Sequence, residues 1–194
     1  MPQAKTTRLE AVNTILRAVN EAPVASLSTQ GSMETQMAEA ELDKTDREVQ
    51  TMGWSWNRRT VTYTRTTANE ILIPGNVIRV DGALGTRYSV RDGKLFDLKE
   101  DTSVFTTDVK LEITELLAWD DIPEAVRSYI LIKAARRHAD QSLGDPGLSS
   151  YTRQDEQEAM ALMRKHELHV SNPRVWGRDI ENYIDRQKTT DWVI

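Results

Sequence analysis

The chain has no cysteine among its 194 residues, so thiolate catalysis, disulfide stapling and cysteine-ligated zinc are all excluded. Long apolar runs are missing as well. No stretch approaches the roughly 18 to 20 residues that a membrane-spanning helix requires. The first ten residues, Met1 to Glu10, are polar and hold no signal-peptide core, so secretion by that route is not expected. Bases are short relative to acids, 25 Lys and Arg against 30 Asp and Glu, for a formal charge of −5. A general nucleic-acid binder usually carries a basic face, and this chain does not advertise one. Leu, Ile, Val and Phe make up about 22% of the residues, just above the roughly 20% below which disorder is expected. The core is therefore thin, which favours an elongated or oligomeric protein over a compact globular enzyme.

The hydrophobic residues that are present fall into three stretches with different periods. Leu9, Val12, Leu16 and Val19, widened by Ile15, recur at helical spacing. Thr6 or Thr7 can cap this helix, with Glu10 three residues after Thr7 in the capping-box relation, and Pro23 follows the expected end. A second helix is predicted from Ser32 to Met52, with Met33, Met37, Ala40, Val49 and Met52 as its apolar stripe and Gly53 as its stop. Six of its side chains are acidic and two basic.

After Gly53 the period shortens. Trp54, Trp56, Val61 and Tyr63 alternate with polar residues, the pattern of a half-buried strand. Further strands are expected over Asn76 to Asp81, Thr86 to Arg91, Lys94 to Leu98 and Val109 to Leu117. Asp92-Gly93 between two of these runs is the strongest local signal, because a two-residue hairpin turn needs positive φ at both central positions. Together these segments predict an antiparallel β-layer of meandering hairpins.

Helical spacing returns at Pro123, with Asp120 or Asp121 expected to cap and Glu124 complementing the positive helix end. Val126, Tyr129, Ile130, Lys133 and Ala134 form one face. Gly144-Asp145-Pro146-Gly147 breaks the chain. A fourth helix is expected from Ser149 or Ser150 to Val170, with Tyr151, Ala159, Leu162, Met163, His166 and Val170 inward. The last residues contain Trp176, Tyr183, Ile184, Trp192, Val193 and Ile194, an aromatic and apolar set that reads as a docking segment. The expected fold class is α+β: a helical bundle from residues 1–53 and 119–171, an inserted antiparallel β domain over 54–118, and an extended C-terminal tail over 172–194.

Chemistry-bearing groups are sparse. A glycoside hydrolase needs two carboxylates about 5 to 10 Å apart, and Glu115, Asp120, Asp121 and Glu124 cluster near one strand-to-helix junction, with Asp155, Glu156 and Glu158 on the last helix. Acids at helix starts are ordinarily caps and dipole partners. His138, His166 and His169 are the only histidines. His166 and His169 share a helix face, yet no further ligand is in view for a metal. No Gly-x-Ser-x-Gly elbow is present, and Asp81-Gly82-Ala83-Leu84-Gly85 lacks the Walker spacing. No cofactor is expected. Basic residues at Arg58-Arg59 and at Lys133, Arg136 and Arg137 read either as phosphate contacts or as charges neutralised by neighbouring acids, and the overall acidity favours the second.

Taken in order, several stretches resemble the tail tubular protein A family of short-tailed, podovirus-type bacteriophages. They are Ala11-Val12-Asn13-Thr14-Ile15-Leu16 continuing to Leu27, Val49 to Asn57 with its Gly53-Trp54-Ser55-Trp56, and Tyr88 to Asp97. Ile122 to Ile130, Lys133-Ala134-Ala135-Arg136-Arg137 and Asp155-Glu156-Gln157-Glu158-Ala159 complete the set. The likeness spans about residues 8 to 170, and its specificity lies in the collinear order.

The resemblance implies a structural virion protein assembled in the host bacterial cytoplasm. Such a protein forms a twelve-subunit ring that joins the portal protein to the tail nozzle protein and surrounds the double-stranded DNA passing to the cell, without sequence recognition and without a membrane partner. On that expectation the hairpin Arg91, Asp92, Gly93 and Lys94 meets the nozzle. Trp176, Tyr183, Ile184, Trp192, Val193 and Ile194 hook the portal. A thin core suits a subunit completed by its neighbours, and an acidic chain suits a channel through which DNA must slide. The competing readings are a tail-associated hydrolase of envelope glycans built on Glu115, Asp120, Asp121 and Glu124, and a simple nucleic-acid-binding module.

Overall fold

The computed structural model describes residues 5–27, 31–83, 85–143 and 152–171. The fold class is α+β, with four helices and five antiparallel strands in the described residues. The chain divides into two compact units: residues 53–118 form a strand unit, and the segments before and after them form a helical unit. The tail set from Trp176 to Ile194, and Tyr151, lie outside the described residues.

In the helical unit, α1 (Arg8–Ala18) begins at Thr7, whose hydroxyl accepts from the Glu10 amide while the Glu10 carboxylate accepts from the Thr7 amide. The end is equally local. Asn20 takes φ +62°, and the amides of Glu21 and Asn20 donate to the carbonyls of Leu16 and Arg17 at 3.0 and 3.1 Å, a Schellman closure. α2 (Met33–Thr51) is capped by Ser32 and stops at Gly53, whose φ is +76°. Its buried face differs from the expected one. Thr35, Ala38, Glu41, Leu42, Thr45 and Val49 turn inward, whereas Met33 is 73% and Met37 50% exposed, and Ala40 is exposed too. Small and polar side chains fill a shallow helix–helix seam that the methionines would overfill, so the stripe rotates away from them.

α3 (Glu124–Leu143) is the hub, packing against α1, α2 and α4 (Arg153–Ser171). Val126, Tyr129, Ile130, Lys133 and Ala134 are buried as the spacing predicted. The cap is not an aspartate. Asp120 and Asp121 belong to a 3₁₀ turn over Trp119–Asp121, and the Pro123 carbonyl accepts the first helical bonds, from Val126 and Arg127. α4 starts at Arg153 behind a cap at Thr152, three or four residues later than the expected Ser150 or Ser149, because Thr152 and Asp155 cap one another. Its buried stripe is narrow, Ala159, Met163 and Glu167, while Leu162 and Val170 face outward.

The strand unit holds β1 (Arg58–Tyr63), β2 (Val77–Asp81), β3 (Tyr88–Arg91), β4 (Lys94–Asp97) and β5 (Val109–Glu115). The three-stranded sheet has the order β1-β5-β2, so the last strand in sequence is the central one, and only β3-β4 is a simple hairpin. This replaces the expected meander. Trp54 and Trp56 are not strand residues either; they are half-buried in a turn closed by Asn57, whose side-chain oxygen accepts from the Trp54 amide at 2.8 Å. The β3-β4 turn is as predicted, with φ +52° at Asp92 and +71° at Gly93. Ile71, Ile73, Leu95, Phe105, Leu111 and Ile113 form the core of this unit.

Candidate functional site

The ionisable residues singled out in the sequence are mostly consumed by the fold. On α3, one face of basic residues meets α2 and another meets α4. The Lys133 ammonium lies 2.8 Å from Glu48 Oε1, and Arg137 donates to both Glu48 oxygens at 2.5 and 3.2 Å. Arg136 donates to Glu156 at 2.6 Å and to Asp140 at 2.5 Å. Partial burial pushes the Glu48 carboxyl up, but hydrogen bonds from Arg137 and Lys133, with their charges, outweigh it and hold it at about 2. Between these bridges sits Tyr129, fully buried, its hydroxyl without a partner among the described residues and pushed up to about 12 by burial and by the nearby Glu156 and Glu48 carboxylates. The basic cluster is thus neutralised by acids, Glu48 and Glu156 from neighbouring helices and Asp140 from α3 itself.

A second arrangement, invisible in the sequence, opens α3. Arg127 is 1% exposed and, among the described residues, has no carboxylate against it. Its guanidinium donates to three backbone carbonyls instead: Ile122 at 2.9 Å, Thr6 at 3.0 Å and Asp120 at 2.5 Å. The Trp119 ring lies 5.8 Å away, and the indole N–H donates to the Thr6 carbonyl at 2.9 Å. The Thr6 amide and hydroxyl both donate to Glu124. Residues 5–7 are thereby strapped to the point where the chain re-enters the helical unit. The signal available beforehand was only an arginine on an otherwise apolar helix face.

The hydrolase candidates divide between the units: Glu115 ends β5, while Asp120, Asp121 and Glu124 precede or open α3. Glu115 is chelated by Arg59 Nε at 2.5 Å and Nη2 at 2.9 Å. That guanidinium, chiefly by hydrogen bonding, holds the carboxyl below its ordinary value, the reverse of what a general acid needs. Glu124 is engaged by Thr6, Glu156 by Arg136, and Asp155 by the Thr152 cap. A hollow of about 560 Å³ runs along α2 past Asp43, Lys44, Arg47 and Glu48, and Asp43 there already pairs with Arg8 at 2.6 Å.

His138 is buried, and burial lowers its pKa. His169 is exposed and His166 half-buried. Among the described residues no three His, Cys, Asp or Glu side chains come together as a metal site. In the hairpin, Arg91 stacks 3.8 Å over the Phe96 ring, and Lys94 pairs with Glu70 at 2.9 Å. Asp92 and Gly93 are exposed at the tip.

What remains unspent is apolar surface. Met33 and Met37 on α2, and Leu162, Leu168 and Val170 on α4, are large and exposed. A molecule with paired charges inside and leucines and methionines outside has the chemistry of an assembly component. Comparison with known proteins agrees with that character. Over 160 residues the chain is 28% identical to the tail tubular protein A of Klebsiella phage KP34, covering 81% of this chain and 86% of that protein. The family model for the tail tubular protein matches residues 9–173. With that match running through all four helices and all five strands, the chain belongs to the tail tubular protein family and is a structural component of a bacteriophage tail.

Proposed function

We propose that this chain is a ring-forming adaptor that joins the portal to the tail nozzle and lines part of the channel through which the genome leaves. The observation that carries the reading is the incompleteness of the helical unit. α4 packs principally on α3 along a stripe of three buried side chains, and it turns Leu162, Leu168 and Val170 toward solvent. Apolar area left on two outer helices is stabilising only when another surface covers it. A ring of twelve copies, side by side, supplies that cover through heterologous contacts that close on themselves.

In this account the protein works without a reaction centre. The described carboxylates favour no second, hydrolytic reading, because those nearest to one another are caps or ion-pair partners. The Arg91 to Lys94 hairpin meets the nozzle, the segment from Trp176 to Ile194 docks on the portal, and the acidic chain lets DNA pass without tight phosphate contacts. Assembly takes place in the host cytoplasm, where a cysteine-free chain loses nothing to the reducing conditions.

The test is a mass measurement of the purified full chain, alone and mixed with its portal. A discrete ring-sized species under either condition is expected; a monomer under both removes the adaptor reading.

A further inference from the structure

The two outer helices of the helical unit flank α3 on different sides. Arg136 and Asp140 face α4 through the Glu156 bridge. His138 follows Arg136 by two positions, roughly 200° round the helix. On that other flank His138 and Ser142 line a groove of about 210 Å³ together with Val19, Glu21, Glu34 and Met37. Its described walls carry two carboxylates and no Lys or Arg. Met33, one turn before Met37, stands exposed beside it.

The far face of α4 carries the complement. Leu162, Lys165 and His169 recur at i, i+3 and i+7 and so share one stripe, with Arg164 and Leu168, themselves i and i+4, along one side of it. Leu162 is 63% exposed, and Arg164 and Lys165 take part in none of the ion pairs among the described residues. Glu34 and Met37 on α2 are also three residues apart. Each flank therefore offers one apolar and one charged side chain at the same spacing, with opposite charge.

Resting on the ring reading above, we infer that the α4 stripe of one copy seats in the α1–α2–α3 groove of the next. Leu162 enters between Val19 and Met37, and Lys165 faces Glu21 and Glu34. The occupant is a second copy of this chain for two reasons. The charges are complementary, and surfaces on different flanks of one helix make a head-to-tail contact that repeats from copy to copy instead of ending at a pair. The apolar pair supplies the attraction; the charge pair fixes register and rejects wrong docking.

The absence of cysteine makes the test clean. Full-length Met37→Cys, Leu162→Cys and the double variant are treated with a bifunctional maleimide, alone and with the portal present. The double variant is expected to give a ladder of covalent multimers on a denaturing gel, and each single variant to stay a monomer. A single variant that cross-links to a dimer means a two-fold contact and overturns the head-to-tail assignment. A double variant with wild-type assembled mass but no ladder overturns this interface and leaves the ring standing. Wild-type chain that is monomeric under both conditions removes the ring and the interface together.

Charge exchange gives an independent readout. Glu34→Lys and Lys165→Glu should each weaken assembly about tenfold in concentration, and the two together should restore it. Both positions are exposed, so circular dichroism should be unchanged. Wild-type assembly in both single exchanges overturns the proposal.

Discussion

The strand unit and the helical unit meet the same shortage of apolar residues in different ways. In the strand unit six side chains, Ile71, Ile73, Leu95, Phe105, Leu111 and Ile113, close on one another, and its ion pairs, such as Lys94–Glu70, are partly solvated. In the helical unit the apolar seam of Val12, Ile15, Leu42, Val49 and Ile130 is supplemented by charges that bridge helices, Glu48 to Lys133 and Arg137, and Glu156 to Arg136. An apolar cluster stabilises under almost any solution condition. A bridge of charges holds only while both partners are ionised and aligned. The first unit is therefore expected to be robust and the second conditional, a useful property in a part that must assemble.

The contrast breaks most sharply if the strand core is hollowed. Ile113 is fully buried on the central strand, and Ile113→Ala should cost about 4 kcal/mol of strand-unit stability, read as an earlier urea transition. A loss below about 1 kcal/mol would mean that the cluster is not what holds this unit.

The conditional character of the helical unit is probed next by Glu48→Gln. The folded carboxyl, held at about 2, lies below its ordinary value of 4.5, so its contribution is complete above about pH 4.5 and is lost as pH falls toward 2. Because the side chain is 39% exposed, its worth is discounted for solvent screening to roughly 2 kcal/mol. Helical unfolding of the wild type should shift with acid across that window, and the Gln variant should be weaker at pH 7 and flatter below pH 4.5.

The smallest effect is expected at the hairpin tip. Gly93 has φ +71° and open space around a built Cβ, so Gly93→Ala carries only backbone strain, about 1 kcal/mol. A larger loss in the isolated chain would show that strain at the tip passes into the strand core through the Gly93 carbonyl, which accepts from the Ile73 amide at 2.8 Å.

Features encoded by neighbours in the sequence were legible. The Thr7–Glu10 box, the Asp92-Gly93 turn and the face of α3 each depend on residues within a turn or two. What could not be read depends on distant partners. β5 lies between β1 and β2 because of pairings such as Val61 with Leu111 and Val80 with Ile113, which no local pattern announces. The α2 face was misassigned because methionine outranks threonine on any hydropathy scale, yet Thr35 and Thr45 fit the seam. The bridges from Glu48 join residues 85 and 89 positions apart, so α2's acidity was visible but not its use. As for the site, the sequence supplied the hairpin turn, whereas Met33, Met37, Leu162 and Val170, expected to face inward, are exposed, and the groove beside Met37 exists only once three helices meet.

Arg127 has a practical consequence for anyone handling the protein. A buried cation that leans on the carbonyl of the sixth residue makes the first turn of chain a working part, so trimming the leader to residue 8 to tidy an expression clone would leave a guanidinium short of a ligand in a dry place. Tags are better placed ahead of Lys5 on a spacer than fused directly to the first helix.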